Sequence, residues 1–204
     1  LGDIKTTIRV TAAHDEVDLS LELGNTDSVR NEGVISVASK LSKYHNKPKF
    51  DIEILPSNII LNDSAWSIGQ STITYTLADQ VMDIDNFSLS TDYQLITADG
   101  TASKSATDSI DIVLNNINLD YLLSYTEASK AISILGPVTG KAKVYSVFSE
   151  PMLEAQAYIP NGGLNGVYLG DVTAEATLDR ENNSILLYGQ IVDSTQHMVA
   201  EVNG

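Results

Sequence analysis

Hydrophobic and polar residues alternate with period two along most of this chain. In an extended strand that period sends every second side chain to the same face, so each run predicts a strand with one wet and one dry side. Val17, Leu19, Leu21 and Leu23 alternate with Asp18, Ser20 and Glu22, and Phe50, Ile52 and Ile54 alternate with Asp51 and Glu53. The pattern returns at Trp66 and Ile68, at Ile73, Tyr75 and Leu77, at Met82 and Ile84, at Phe87 and Leu89, and at Ile110, Ile112 and Leu114. The last third continues it with Leu153, Ala155, Ala157 and Ile159, with Val172, Ala174, Ala176 and Leu178, with Ile185 and Leu187, and with Met198, Ala200 and Val202. Asn62-Asp63, Ala78-Asp79-Gln80, Asp99-Gly100, Asn161-Gly162-Gly163 and Glu181-Asn182-Asn183 supply turn residues between the runs.

Short strands at near-regular spacing predict a mainly β fold, an elongated antiparallel meander. One segment departs from the rule. From Asn118 as N-cap, Leu119, Leu122 and Leu123 follow helical spacing and Gly136-Pro137 stops it, which predicts one short helix near residues 119–130. No linker, charge block or low-complexity tract divides the chain, so residues 1–204 read as a single elongated β domain. Leu1-Gly2-Asp3-Ile4 has neither an initiating Met nor the basic and apolar regions of a signal peptide, and the chain reads as an excised fragment of a longer protein.

The dry positions are mostly Ile, Leu, Val and Ala, and only 6% of the chain is aromatic, which makes a smooth aliphatic wall. Leaving a dozen such side chains wet would forgo roughly 20 kcal/mol, so something must cover them. The cover is the opposing sheet of a β-sandwich, a neighbouring subunit, or lipid acyl chains lying in a trough. All three demand the same pattern.

Charge narrows the partners. Twelve Lys and Arg against 27 Asp and Glu leave a net charge of −15, which disfavours nucleic acid and repels an anionic membrane surface. No apolar run is long enough to span a bilayer, so contact with lipid would be with acyl chains inside the fold. The chain has no Cys, hence no disulfide, thiolate nucleophile or Cys-bound zinc.

Catalytic and metal motifs fail on inspection. Gly136-Pro137-Val138-Thr139-Gly140-Lys141 has three residues, not four, between its glycines, and Ala142 stands where a magnesium-binding hydroxyl belongs. A strand needing small residues explains both glycines. Asp83-Ile84-Asp85-Asn86 has two carboxylates at calcium-loop spacing, but Phe87 occupies the third ligand position. His14, His45 and His197 are isolated, and no cofactor or metal is implied. Asp27-Ser28-Val29, Asp63-Ser64-Ala65, Asp108-Ser109-Ile110 and Asp193-Ser194-Thr195 resemble bacterial envelope O-glycosylation acceptors, or equally ordinary Asx and Ser turns.

An ordered set of motifs over residues 58–189 is more informative. It runs from Asn58-Ile59-Ile60-Leu61 through Trp66 to Ile84-Asp85-Asn86-Phe87-Ser88-Leu89 and Asp99-Gly100. It continues with Leu114-Asn115-Asn116-Ile117-Asn118-Leu119, Gly136-Pro137-Val138-Thr139-Gly140-Lys141-Ala142, Pro151-Met152-Leu153, Asn165-Gly166 and Leu169-Gly170-Asp171. Leu178-Asp179 and Leu186-Leu187 end it. This order resembles the C-terminal region of the TamB (translocation and assembly module) family, in the AsmA-like superfamily; residues 1–57 carry strand pattern but no matching motif. The resemblance implies a partly open β-taco with an apolar concave face, in a non-enzymatic protein anchored in the inner membrane of a Gram-negative bacterium and crossing its periplasm. It implies a role in phospholipid transport between membranes or in outer-membrane protein assembly, with acyl chains and a TamA-type barrel assembly protein as partners. The groove-lining role then falls on Ile73, Tyr75, Ile84, Leu89, Ile110, Ile112, Leu114, Val144, Ala157, Ile159, Leu178 and Leu187.

Two other classes compete. A binding or adhesion module of the cell envelope, built as a β-sandwich, requires a sealed core and a functional patch on loops such as 161–166. A carbohydrate-active solenoid requires clustered carboxylates with raised pKa values on a strand face.

Overall fold

The structure, a computed structural model, describes residues 5–25, 29–120, 133–179, 184–192 and 198–203 of the chain. Among these residues the chain forms sixteen strands, the alternating runs among them. In chain order they are β1 (Lys5–Ala13), β2 (Glu16–Gly24), β3 (Glu32–Tyr44), β4 (Lys47–Ile54), β5 (Ser57–Leu61), β6 (Ser64–Ile68), β7 (Ser71–Thr76) and β8 (Val81–Ser90). The second half adds β9 (Leu95–Ala102), β10 (Ser109–Ile117), β11 (Ile134–Leu135), β12 (Val138–Tyr145), β13 (Met152–Leu164), β14 (Val167–Asp179), β15 (Ser184–Val192) and β16 (Met198–Asn203). All pair antiparallel in one sheet, as the mainly β meander requires. Residues 119 and 120 are helical. The rest of the helix expected near 119–130, and the turn at Glu181-Asn182-Asn183, lie outside the described residues.

The pairing order looks branched at β5 and β6 but is a plain meander. Ser57 pairs with Ile68 and Ile54 pairs with Ser71, so one register runs through β5–β6 and β4–β7. Thus β4 and β5 are two halves of one long strand, and β6 and β7 are two halves of the next. Pro56, which has no N–H to give, falls at the interruption. Beside it the Leu55 N–H still donates to the Ser36 carbonyl at 2.9 Å. The short β11 joins the path only through β13.

Three strands carry the same irregularity. Ile84 pairs with Gly100 but Phe87 with Ala98; Leu114 pairs with Gly140 but Ile117 with Val138; Ile159 pairs with Val172 but Gly162 with Gly170. Each step inserts one extra residue, a β-bulge. At each bulge an asparagine takes a positive φ, 58° at Asn86, 56° at Asn116 and 51° at Asn161. Asparagine tolerates that conformation better than most residues with a side chain. Each asparagine N–H is then caught by an oxygen of the next strand: Asp99 Oδ2 at 2.9 Å, Thr139 Oγ1 at 3.0 Å and Asp171 Oδ1 at 2.9 Å. The extra residue resets the period, so Ile84 and Phe87 share a face although three positions apart.

Two expected turns are corrected here. Asp99-Gly100 lies inside β9, where Gly100 has φ 121° and a Cβ would stand 2.2 Å from the Ser109 carbonyl oxygen of β10. Its glycine serves close strand approach, and its aspartate braces the Asn86 bulge. Asn161-Gly162-Gly163 lies inside β13; the chain reverses at Asn165-Gly166 instead, with φ 50° and 80°. That pair of positive φ values suits a two-residue hairpin turn, whose twist matches that of the strands.

Candidate functional site

Residues opposite one another in an antiparallel ladder share a face, so the registers trace rows across the sheet. One row runs Ala12, Val17, Ser39, Ile52, Ile73, Ile84, Gly100, Ile110, Val144 and Leu153. It crosses nine strand spacings, about 43 Å at 4.8 Å each. A second runs Ile68, Leu89, Ile96, Leu114, Gly140, Ala157 and Ala174. Between them lies Phe87, Ala98, Ile112, Ala142, Ala155 and Ala176, whose next partner is Leu187. Along one margin Phe50 pairs with Tyr75, Tyr75 with Met82, and Met82 with Ala102. Ile159 is reached through Val172, and Leu178 through Ile185. The registers therefore bring all twelve residues named from the sequence onto one aliphatic face.

Burial on this face has a definite character. Ile73, Tyr75, Ile84, Leu89, Ile110, Ile112, Leu114, Val144, Ala157, Ile159 and Leu178 are all half-buried. Lateral neighbours in each row shield them, and among the described residues no second sheet lies over them. Full burial is restricted to a few points. Ile59, Trp66 and Ile68 form a small cluster flanked by Ile35, Ile54, Leu61 and Leu89. Ile117 faces its ladder partner Val138, and Ala102 is fully covered near the Tyr75 margin.

The face changes texture along its length. Small side chains form a patch in the middle of β12 to β14, where Gly140, Ala142, Ala155, Ala157, Ala174 and Ala176 are flanked by Val144, Leu153, Ile159 and Val172. Smaller side chains there leave the floor lower. Aromatic rings gather at the Tyr75 margin: Phe50 and Tyr75 stack with centroids 6.4 Å apart, and Phe148, from the loop after β12, meets Tyr75 edge-on at 6.2 Å. Alternation gave no sign of Phe148, because its contact lies far away in sequence. Ile52, Phe87, Ile96 and Ala142 complete the rows and follow from the same alternation once partners are known.

The opposite face is hydrophilic and cross-linked from strand to strand. Lys49 Nζ lies 2.8 Å from Asp51 Oδ1, which also accepts the Thr74 hydroxyl at 3.2 Å. This lysine contact holds the Asp51 carboxyl below its ordinary pKa. Lys143 pairs with Asp111 at 2.8 Å and is held above the ordinary lysine range by that hydrogen bond. Thr101 donates to Asp83 at 2.7 Å, and Tyr158 donates to Asp171 at 3.0 Å, which raises the phenol. Tyr145 is raised chiefly by desolvation and then by Glu154, whose carboxylate accepts its hydroxyl at 3.2 Å. Shallow depressions of about 560, 260 and 530 Å³ open on this face, ringed by Asp18, Lys40 and Asp51, by Lys143, Glu154 and Thr177, and by Thr139, Gln156 and Tyr158.

The other residues weighed for chemistry fall in structural roles. Gly136-Pro137 precedes β12 and Gly140 lies within it, where a Cβ would stand 2.3 Å from the Gln156 carbonyl oxygen. Asp83 and Asp85 lie exposed on β8, and Asp85 accepts the Asn86 side-chain amide at 2.9 Å. His14 and His45 sit exposed in tight turns with φ 57° and 49°; His197 lies outside the described residues. Asp108 accepts the Ser103 hydroxyl at 2.7 Å, and Asp63 accepts the Arg30 N–H at 3.0 Å. Among the described residues no cluster of His, Asp and Glu is placed to hold a metal ion, and no helix is long and apolar enough to cross a membrane. Comparison with protein-family models, with curated proteins and with solved structures returns no match for this chain.

Proposed function

We propose that this chain is a non-enzymatic, lipid-handling segment of a bacterial envelope protein, and that its aliphatic face carries acyl chains. The observation behind this reading is the half-buried state of a face that runs about 43 Å with no opposing layer among the described residues. A sealed sandwich core would bury those side chains almost completely. An acyl chain laid along the rows gains about 0.8 kcal/mol for each buried methylene. Equivalent aliphatic positions succeed one another across the strands, so the chain meets no deep trap and slides. The side chains act by solvation alone.

The resemblance of the motif order to that of the TamB family supports the same reading and suggests the setting. That setting is the periplasm of a Gram-negative bacterium, with the full-length protein anchored in the inner membrane and a TamA-type barrel assembly protein as partner. The role is phospholipid transport between membranes, or outer-membrane protein assembly through the same groove.

Photo-crosslinking side chains introduced one at a time test the groove. Lipid adducts are expected at positions 73, 84 and 112 and not at 74, 83 and 111, their neighbours on the hydrophilic face. Equal labelling of the two sets, or none at either, refutes the proposal.

A further inference from the structure

The loop between β12 and β13 is longer than its task. Tyr145 and Met152 are direct ladder partners, so a few residues would close this hairpin, yet the chain spends residues 146–151 there. Instead of turning directly, the loop folds back across the end of β10 to reach the residues that follow β9. The Phe148 N–H donates to the Ser103 carbonyl at 3.0 Å, and the Ser149 hydroxyl donates to the Lys104 carbonyl at 3.1 Å. The Ser149 N–H closes the bend on the Ser146 carbonyl at 2.9 Å, and Ser146 takes φ 50° to allow it.

That path lays the Phe148 ring against Tyr75, four ladder steps from β12 and about 19 Å away at 4.8 Å per step on a flat sheet. Ala102 beneath this margin is 0% exposed, while Phe148 itself keeps 36% of its surface in water. The ring is thus held at the margin, partly covered and partly in water, and not sealed in a core. The hydrogen bonds that Phe148 and Ser149 make to Ser103 and Lys104, just past β9, are each worth about 1 kcal/mol net, within reach of local opening.

We propose that residues 146–149 form a lateral lid over the aliphatic face, latched by Phe148 on Tyr75. Closed, it keeps an apolar occupant from leaving sideways; lifted, it admits one beside Ala102. The occupant rests on the acyl-chain reading above, whereas the movement of the lid does not.

The chain has no cysteine, so an introduced thiol is unique. In lipid-free Ala102→Cys protein, modification of the thiol by N-ethylmaleimide measures opening. Adding Phe148→Ala should speed it at least tenfold, with unchanged emission from the single, buried Trp66 showing that the fold is kept. Equal rates overturn the lid. In a Lys104→Cys/Ser149→Cys variant, joining the thiols with a short bismaleimide should slow uptake of cis-parinaric acid at least tenfold relative to the unlinked variant. Where the unlinked variant takes up the probe, equal uptake by the linked one again overturns it. If unmodified protein takes up no parinaric acid while Phe148→Ala still speeds modification of the thiol at position 102, the lipid reading falls and the lid stands.

Discussion

Gly100 offers a sharp test of the strand geometry. It lies in the long aliphatic row between Ile84 and Ile110, with φ 121°, and a Cβ there would meet the Ser109 carbonyl oxygen at 2.2 Å and its carbon at 3.3 Å. Gly100→Ala must therefore hold a side chain in a backbone region that costs about 1–3 kcal/mol. It must also push β9 away from β10, weakening one or two ladder hydrogen bonds worth about 1 kcal/mol each. The expected loss is about 2–5 kcal/mol. Gly24 is the matched control, since nothing lies within 4 Å of its would-be Cβ. Gly24→Ala should be neutral or stabilising by up to about 1 kcal/mol, because alanine narrows the unfolded ensemble. Urea unfolding followed by Trp66 emission reads both. A loss below about 1 kcal/mol for Gly100→Ala, or equal effects at the two glycines, refutes the close approach of β9 and β10.

Two further outcomes follow from other features. Asn86→Gly should keep stability within about 0.5 kcal/mol, whereas Asn86→Val should cost about 1–2 kcal/mol by forcing a branched side chain into positive φ; equal values would contradict the bulge. Asp51 has a depressed folded pKa, so its pairing with Lys49 stabilises above the unfolded carboxyl pKa and is lost as pH falls through the folded value. Acid titration should thus show Asp51→Asn losing less stability than the parent below about pH 4, by well under 1 kcal/mol because the pair is exposed; identical acid limbs would exclude the linkage.

Strand faces were legible in the sequence because one side of every strand is wet. Where the sheet is regular, as from Ile110 to Leu114, alternation alone names the aliphatic residues. It misleads where the period is reset. Ile84 and Phe87 read as members of separate strands, although the Asn86 bulge joins them in β8. Glycine is ambiguous by itself, since the same residue permits a reversal at Gly166 and a tight strand contact at Gly100. Phe148 is illegible for a different reason: its partner Tyr75 lies 73 residues earlier, and no local pattern encodes a contact at that range.

The plain succession of hairpins has a mechanical consequence. Among the described residues most strands pair with their neighbours along the path, β11 and the Phe148–Tyr75 contact apart, so stability is largely a sum of nearest-neighbour terms and the molecule behaves much like a one-dimensional array. Hairpins can be duplicated or deleted without rethreading anything, which lets evolution tune reach in steps of about 9.6 Å per pair. Pulled from its ends, such an array should yield by unzipping rung after rung and not in one cooperative rupture.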